Sequence, residues 1–180
     1  MATRLFLHET TANGIGTFRD MTTEDLSAVT TGVVNTVASG TEIQWTRTAG
    51  GAVLEWISGR SPAGGFTLAG AMTFNIWALE SAMAANCGGR VRVFKRTAGG
   101  TETEIAGGPW NDGVEFGTTV AAMNWTGTPT STAFAENDRI IVRYYITNIG
   151  TMGGGETCNL KYNRSGAGTS DSFFEINETI

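Results

Sequence analysis

Apolar residues recur at every second position in two long stretches of the chain. In residues 66–79, Met72, Phe74, Ile76 and Ala78 fall on one face. In residues 139–147, Ile140, Val142, Tyr144 and Ile146 fall on one face and Ile141, Arg143, Tyr145 and Thr147 on the other. A period of two is the signature of a strand with one buried side, because successive Cβ atoms point to opposite faces. Shorter strand-like runs occupy residues 5–7, 33–38, 42–47, 52–57, 90–96, 103–105, 114–116, 121–126, 160–162 and 172–176, with Val91 and Val93 inward in the arginine-rich run 90–96. Glycines punctuate them at Gly40, at Gly50-Gly51 and in Thr97-Ala98-Gly99-Gly100-Thr101, which reads as a hairpin turn. Residues 127–132 break the pattern before Phe134. Helix signals are nearly absent; Thr23-Glu24-Asp25-Leu26 could cap a single turn.

About ten strands without intervening helices predict an all-β domain, an antiparallel β-sandwich with a jelly roll as its form. Long connections alternating with tight hairpins favour that topology over an up-and-down barrel. The polar stretch from Glu9 to Gly32 reads as an extended arm. The expected organisation is an N-terminal strand and arm over residues 1–31 and a sandwich domain over residues 32–180.

Composition agrees. Of 180 residues, 25 are Gly and 28 are Thr; glycine supplies turns and β-branched threonine fits a pleated surface. Seventeen aromatic residues and a net charge of −5 exclude a disordered chain. Only two of twelve basic residues are lysine, and the acidic balance argues against nucleic acid as a partner. No run is long and apolar enough for a secretory signal or a membrane span. Cys87 and Cys158 read as two buried thiols, with a bridge across two strands as the alternative, because a core of this size needs no staple.

Candidate chemistry is sparse. His8, the single histidine, reads as the outward neighbour of Leu7, and with Cys87 and Cys158 it has no metal-ligand spacing. Glu102 and Glu104 share a face of a hairpin strand but belong to an exposed tip. Asn111-Asp112-Gly113 and Asn137-Asp138 could ligate calcium, although such sequences form turns by themselves. The cluster Arg90, Arg92, Lys95 and Arg96 suits either an anionic ligand or a solvated sheet face. Among five tryptophans, Trp45, Trp77, Trp110 and Trp125 could form a sugar-stacking platform, the alternative being core packing or a subunit interface. No catalytic, cofactor or metal site is expected, and the chain reads as not an enzyme.

Residues 66–96 followed by Asp138-Arg139-Ile140-Ile141-Val142-Arg143-Tyr144-Tyr145 resemble a family of small structural proteins of tailed bacteriophages. In that family a strand like Gly70-Ala71-Met72-Thr73-Phe74-Asn75-Ile76-Trp77 leads through Glu80-Ser81 and Ala84-Ala85-Asn86 into an Arg-Val-Arg-Val-aromatic strand, here Arg90-Val91-Arg92-Val93-Phe94. A Gly-Asp-Arg-hydrophobic strand follows; Asn137 stands where the glycine would be. The opening Met1-Ala2-Thr3-Arg4-Leu5-Phe6-Leu7 is similar too, so the resemblance covers about two thirds of the chain. It implies a virion component: a head decoration or cement protein, a homotrimer, whose extended N-terminal segment grips the major capsid protein or another virion protein. A tail or neck component is the other form it implies. From a different class, the alternative is a carbohydrate-binding β-sandwich module.

Overall fold

The computed structural model describes residues 1–12, 15, 18–24, 32–37, 43–44, 55–111, 113–151, 155–162 and 172–180. Among them the chain forms fourteen strands and one 3-10 turn at Met83–Ala85. The strands are β1 (Thr3–Thr11), β2 (Arg19–Thr22), β3 (Gly32–Val37), β4 (Ile43–Gln44), β5 (Glu55–Ser58), β6 (Phe66–Leu68) and β7 (Met72–Glu80). They continue as β8 (Cys87–Arg96), β9 (Glu102–Glu104), β10 (Ala121–Gly127), β11 (Thr132–Phe134), β12 (Arg139–Asn148), β13 (Thr157–Tyr162) and β14 (Phe173–Ile176). The expected all-β, sandwich-type fold is the one observed.

The two most regular sequence stretches become the centres of its two halves. β10 pairs along its whole length with residues 72–78 of β7, and the other edge of β7 is shared between β14 at residues 72–75 and β13 at residues 77–80. β12 repeats the arrangement, pairing from end to end with β8 on one edge and with β5 and β4 on the other. β1 joins the halves: it pairs with β14 through residues 3–6 and with β2 beyond, and its register shifts between Leu7 and Thr11. Such an irregularity bends a strand, which lets one continuous sheet curl over its own apolar face. β2 and β5 form a parallel pair.

Every side chain named for the inner faces is buried: Met72, Phe74, Ile76 and Ala78 on β7, Val91 and Val93 on β8, and Ile140, Val142, Tyr144 and Ile146 on β12. Phe74 packs against Trp110, Trp125 and Phe174, while Trp125 and Trp56 both meet the Tyr144 ring edge-on. Aromatic residues of one half thus fill the space above the other, in the offset and edge-to-face geometries such rings prefer.

Four expectations change. Residues 66–79 are two strands, interrupted where the Ala69 and Gly70 amides donate to the Glu178 carboxylate at 2.9 and 2.6 Å. A Cβ on Gly70 would stand 2.8 Å from the Asn177 side chain, so the close approach requires glycine. β6 then pairs with β11, a strand hidden in sequence behind the residues 127–132 break, in a separate ribbon where Phe66 stacks on Phe134. Cys87 and Cys158 are bonded to each other rather than free; they tie β8 in one half to β13 in the other. Of the expected arm, Thr3–Thr11 and Arg19–Thr22 are strands within the sheet, and Phe18 packs with Ala12 on Ile57 and Ile141. Residues 25–31 lie outside the described residues. His8, expected to face outward, is buried 2.8 Å from the Thr22 hydroxyl, and its carbonyl accepts the Trp56 indole N–H at 2.9 Å.

Candidate functional site

The charged residues gather on the outer face of the β12 half. Arg92 pairs with Glu104 at 2.9 Å and Arg96 with Glu102 at 2.8 Å. Arg143 bridges Glu102 at 2.7 Å and Glu55 at 2.6 Å while lying over the Phe94 ring. Burial alone would lower the Arg143 pKa, but its bonds to these two carboxylates hold it above the ordinary value. Glu102 and Glu104 are therefore counter-ions of a cross-strand ladder, and most of the arginine-rich run of β8 is spent in it.

The end of that face is different. Asp138, in the turn before β12, is buried, and its carboxylate accepts the Ala135 and Ala98 amides at 2.9 and 3.2 Å and pairs with Lys95 at 3.1 Å. Its carbonyl accepts both the Ser61 amide and hydroxyl at 2.8 Å. Burial favours the protonated acid, but the Ala135 amide, Lys95 and the Ala98 amide outweigh it and hold the pKa below 3.8. The pair Asn137-Asp138 is thus a turn node, with Asn137 at φ 68°. It joins the β8–β9 hairpin, the turn before β12 and the segment after β5.

Three arginines meet as a result. Arg139 stands directly opposite Arg96 in the β8–β12 register, and Arg60, from the segment after β5, joins them. Together with Ile15, Thr97 and Asn137 they line an open recess of about 520 Å³. Arg139 Nη1 donates to the Ser58 carbonyl at 2.8 Å and Arg60 Nη1 to Asn137 Oδ1 at 3.4 Å. Neither makes an ion pair among the described residues. Burial, then the Arg60 and Arg96 charges, lower the Arg139 pKa, against the opposing charge of Asp20.

A second perturbed group lies near the disulfide. Glu80 is 1% exposed; one carboxylate oxygen accepts the Cys87 amide at 3.0 Å, and the other is buried with no hydrogen bond among the described residues. Burial first, and then the neighbouring Glu115 and Glu156, raise its pKa above 4.5. No group of three or more histidine, cysteine or acidic side chains among the described residues is arranged to hold a metal ion. No helix among them is long and apolar enough to cross a membrane.

The tryptophan platform is dispersed. Trp110 and Trp125, only 7% and 5% exposed, belong to the core beside Phe74. Trp77 is half-buried on the opposite face of β7, and Trp45 lies outside the described residues. Sequence reasoning found Arg96 but missed Arg60 and Arg139, because their approach depends on the register of strands forty or more residues apart. The available signal was Asn137-Asp138-Arg139, a turn placing a cation at the mouth of a strand.

No family model matches the sequence, and a search of curated proteins returns no match. Several solved structures share the fold. One is an aminopeptidase from a marine sediment archaeon, Thaumarchaeota archaeon, with TM-score 0.67 and 11% identity over 98% of this chain. A CocE/NonD family hydrolase from Staphylococcus aureus gives TM-score 0.59 and 12% identity over 98%, and an α-amino acid ester hydrolase 0.58 and 12% over 97%. This chain spans 36% of the length of each of those chains. The expectation that the chain is not an enzyme is overturned by that finding, since its fold, over nearly its whole length, is one carried by hydrolases. At 11–12% identity the fold is what is shared, and the activities named belong to those proteins.

Proposed function

We propose that this chain is a structural component of a tailed-bacteriophage particle, a decoration protein that binds across neighbouring capsid subunits by lending them a sheet edge. The observation that carries the reading is β10. Its seven residues pair with β7 in unbroken register, and among the described residues no strand or loop pairs with its other edge. Residues 121–127 contain no charge and no proline. Natural sheets usually blunt an edge with lysine, proline or a bulge. An edge without these devices is suited to accept a strand from a partner. The resemblance of residues 66–96 and 138–145 to phage structural proteins supplies the kind of partner: the major capsid protein, or a further copy in a homotrimer.

Lysines on the outward positions of β10, in the double variant Ala122→Lys and Thr126→Lys, test this. The native chain is expected to co-sediment with capsids and the variant to remain in the supernatant. A native chain that never co-sediments rejects the particle, while equal binding by both rejects the edge. Removing residues 1–31 is not a usable test, because it would delete β1 and β2 from the sheet.

The fold match favours a second reading, in which the chain is a sandwich domain working with a hydrolase. Ester or aminoacyl-ester hydrolysis by the purified chain, lost on changing one side chain, would favour it over the first. The carbohydrate-binding reading loses Trp110 and Trp125 to the core and has no comparable observation in its support.

A further inference from the structure

We infer that the recess between Arg60, Arg96 and Arg139 binds a phosphate dianion, free or as the monoester of a small molecule. The fold brings these cations together at a cost. Arg96 and Arg139 are directly opposite across an antiparallel pair, a placement that is unfavourable for like charges. Arg60 adds a third charge in a protein whose net charge is −5. Arg96 is answered by Glu102 at 2.8 Å. Arg60 and Arg139 have no carboxylate within ion-pairing distance among the described residues, and Asp20 acts on Arg139 only from farther away.

The remaining groups are donors as well. Asn137 uses its carbonyl oxygen on Arg60, which leaves its amide N–H groups for a ligand. Thr97 accepts the Thr101 amide through its hydroxyl oxygen, which leaves the hydroxyl proton to donate. No described carboxylate lines the recess. A cavity lined by donors and by two arginines without an ion-pair partner among the described residues complements an acceptor-only anion of charge about −2, which a phosphomonoester carries near neutral pH. A lone carboxylate would neutralise only half of that charge. The volume of about 520 Å³ exceeds what the phosphoryl group fills, and Ile15 offers an apolar wall for an attached organic part. The recess lies at the β12 end of the molecule, on residues distinct from the β10 edge, so the inference goes beyond the proposed function.

The test is calorimetric titration of the intact protein with inorganic phosphate at pH 7.5, with sodium chloride and acetate at matched ionic strength as comparators. Saturable one-to-one binding of phosphate is expected, weakened at least about tenfold in both Arg139→Gln and Arg60→Gln, which each remove charged hydrogen bonds. Arg4→Gln, at the paired Arg4–Glu175 site, should leave it unchanged. Affinity should fall between pH 7.5 and pH 5.5 as phosphate loses its second charge, whereas sulfate binding should hold constant. Ribose 5-phosphate binding more tightly than phosphate assigns the site to a monoester; equal binding assigns it to the free ion. Absence of saturable phosphate binding, or binding that both glutamine variants retain, overturns the proposal. Should Arg139→Gln lose its cooperative thermal transition, Arg60→Gln decides alone, since Arg60 is solvent-exposed.

Discussion

β7 and β12 are built on the same plan, and their surroundings differ in a way that separates two kinds of surface. Each is a long strand with one apolar face, one long partner on one edge and two short partners sharing the other. Around β12 the outer partner β8 is closed off. β9 pairs with residues 94–96, and the Ile105, Trp110 and Phe116 amides donate to the Val93, Val91 and Cys87 carbonyls. The face outside is a ladder of ion pairs. Around β7 the outer partner β10 has an uncharged edge with which no described residue pairs. Core packing explains why both halves exist; only edge and outer-face chemistry distinguishes a half suited to lend strand pairing from one suited to hold an ion.

The largest effect should come from the shared interior. Phe74→Ala removes a ring that touches Trp110, Trp125 and Phe174, and should cost about 3–5 kcal/mol in chemical denaturation. Tyr144→Phe, in the matching place on β12, removes a buried hydroxyl that has no hydrogen-bond partner among the described residues, and should leave stability unchanged or higher. Close behind stands the bridge between the halves. Cys87→Ser with Cys158→Ser frees a loop of 71 residues and should cost about 4 kcal/mol on the loop-entropy account, with reductant reproducing the loss in the native chain.

Two buried acids should respond to pH with opposite signs. Asp138 has a depressed pKa, so the stability it contributes is present above 3.8 and is lost as pH falls through its lowered value. Asp138→Asn should cost about 2 kcal/mol at pH 7, a cost that shrinks as pH falls through the lowered pKa. Glu80 has a raised pKa, so its contribution is present below 4.5 and is lost as pH rises through the elevated value. Glu80→Gln should melt at or above the native temperature at pH 8, an advantage that disappears below pH 4. Thermal melts across pH 2–8 read both. The smallest effect on stability belongs to the β10 lysines, Ala122→Lys and Thr126→Lys, which should change folding by no more than about 0.5 kcal/mol.

The strands that carry the core were legible because hydrophobic alternation is a local signal. The faces of β7 and β12, the inward valines of β8 and the glycine hairpin at residues 97–101 all follow from it. What stayed hidden depends on pairing between distant segments. Trp110 resembles any loop tryptophan until its backbone pairs with Val91. The Cys87–Cys158 bond requires β8 and β13 to lie on opposite sides of one core. Arg139 faces Arg96 only in the observed register. Ile141, placed by alternation on the outward face of β12, is buried because Phe18 and Ala12 cover it. β2 was missed because four residues amid polar sequence reveal nothing about the neighbours that complete them.

Hydrogen exchange on the free protein and on the protein mixed with capsids tests the docking account most directly. The account predicts that amides of residues 121–127 gain protection on binding while those of residues 94–96 and 102–104 remain as they were. Unchanged exchange across β10 in a demonstrably bound sample would contradict it.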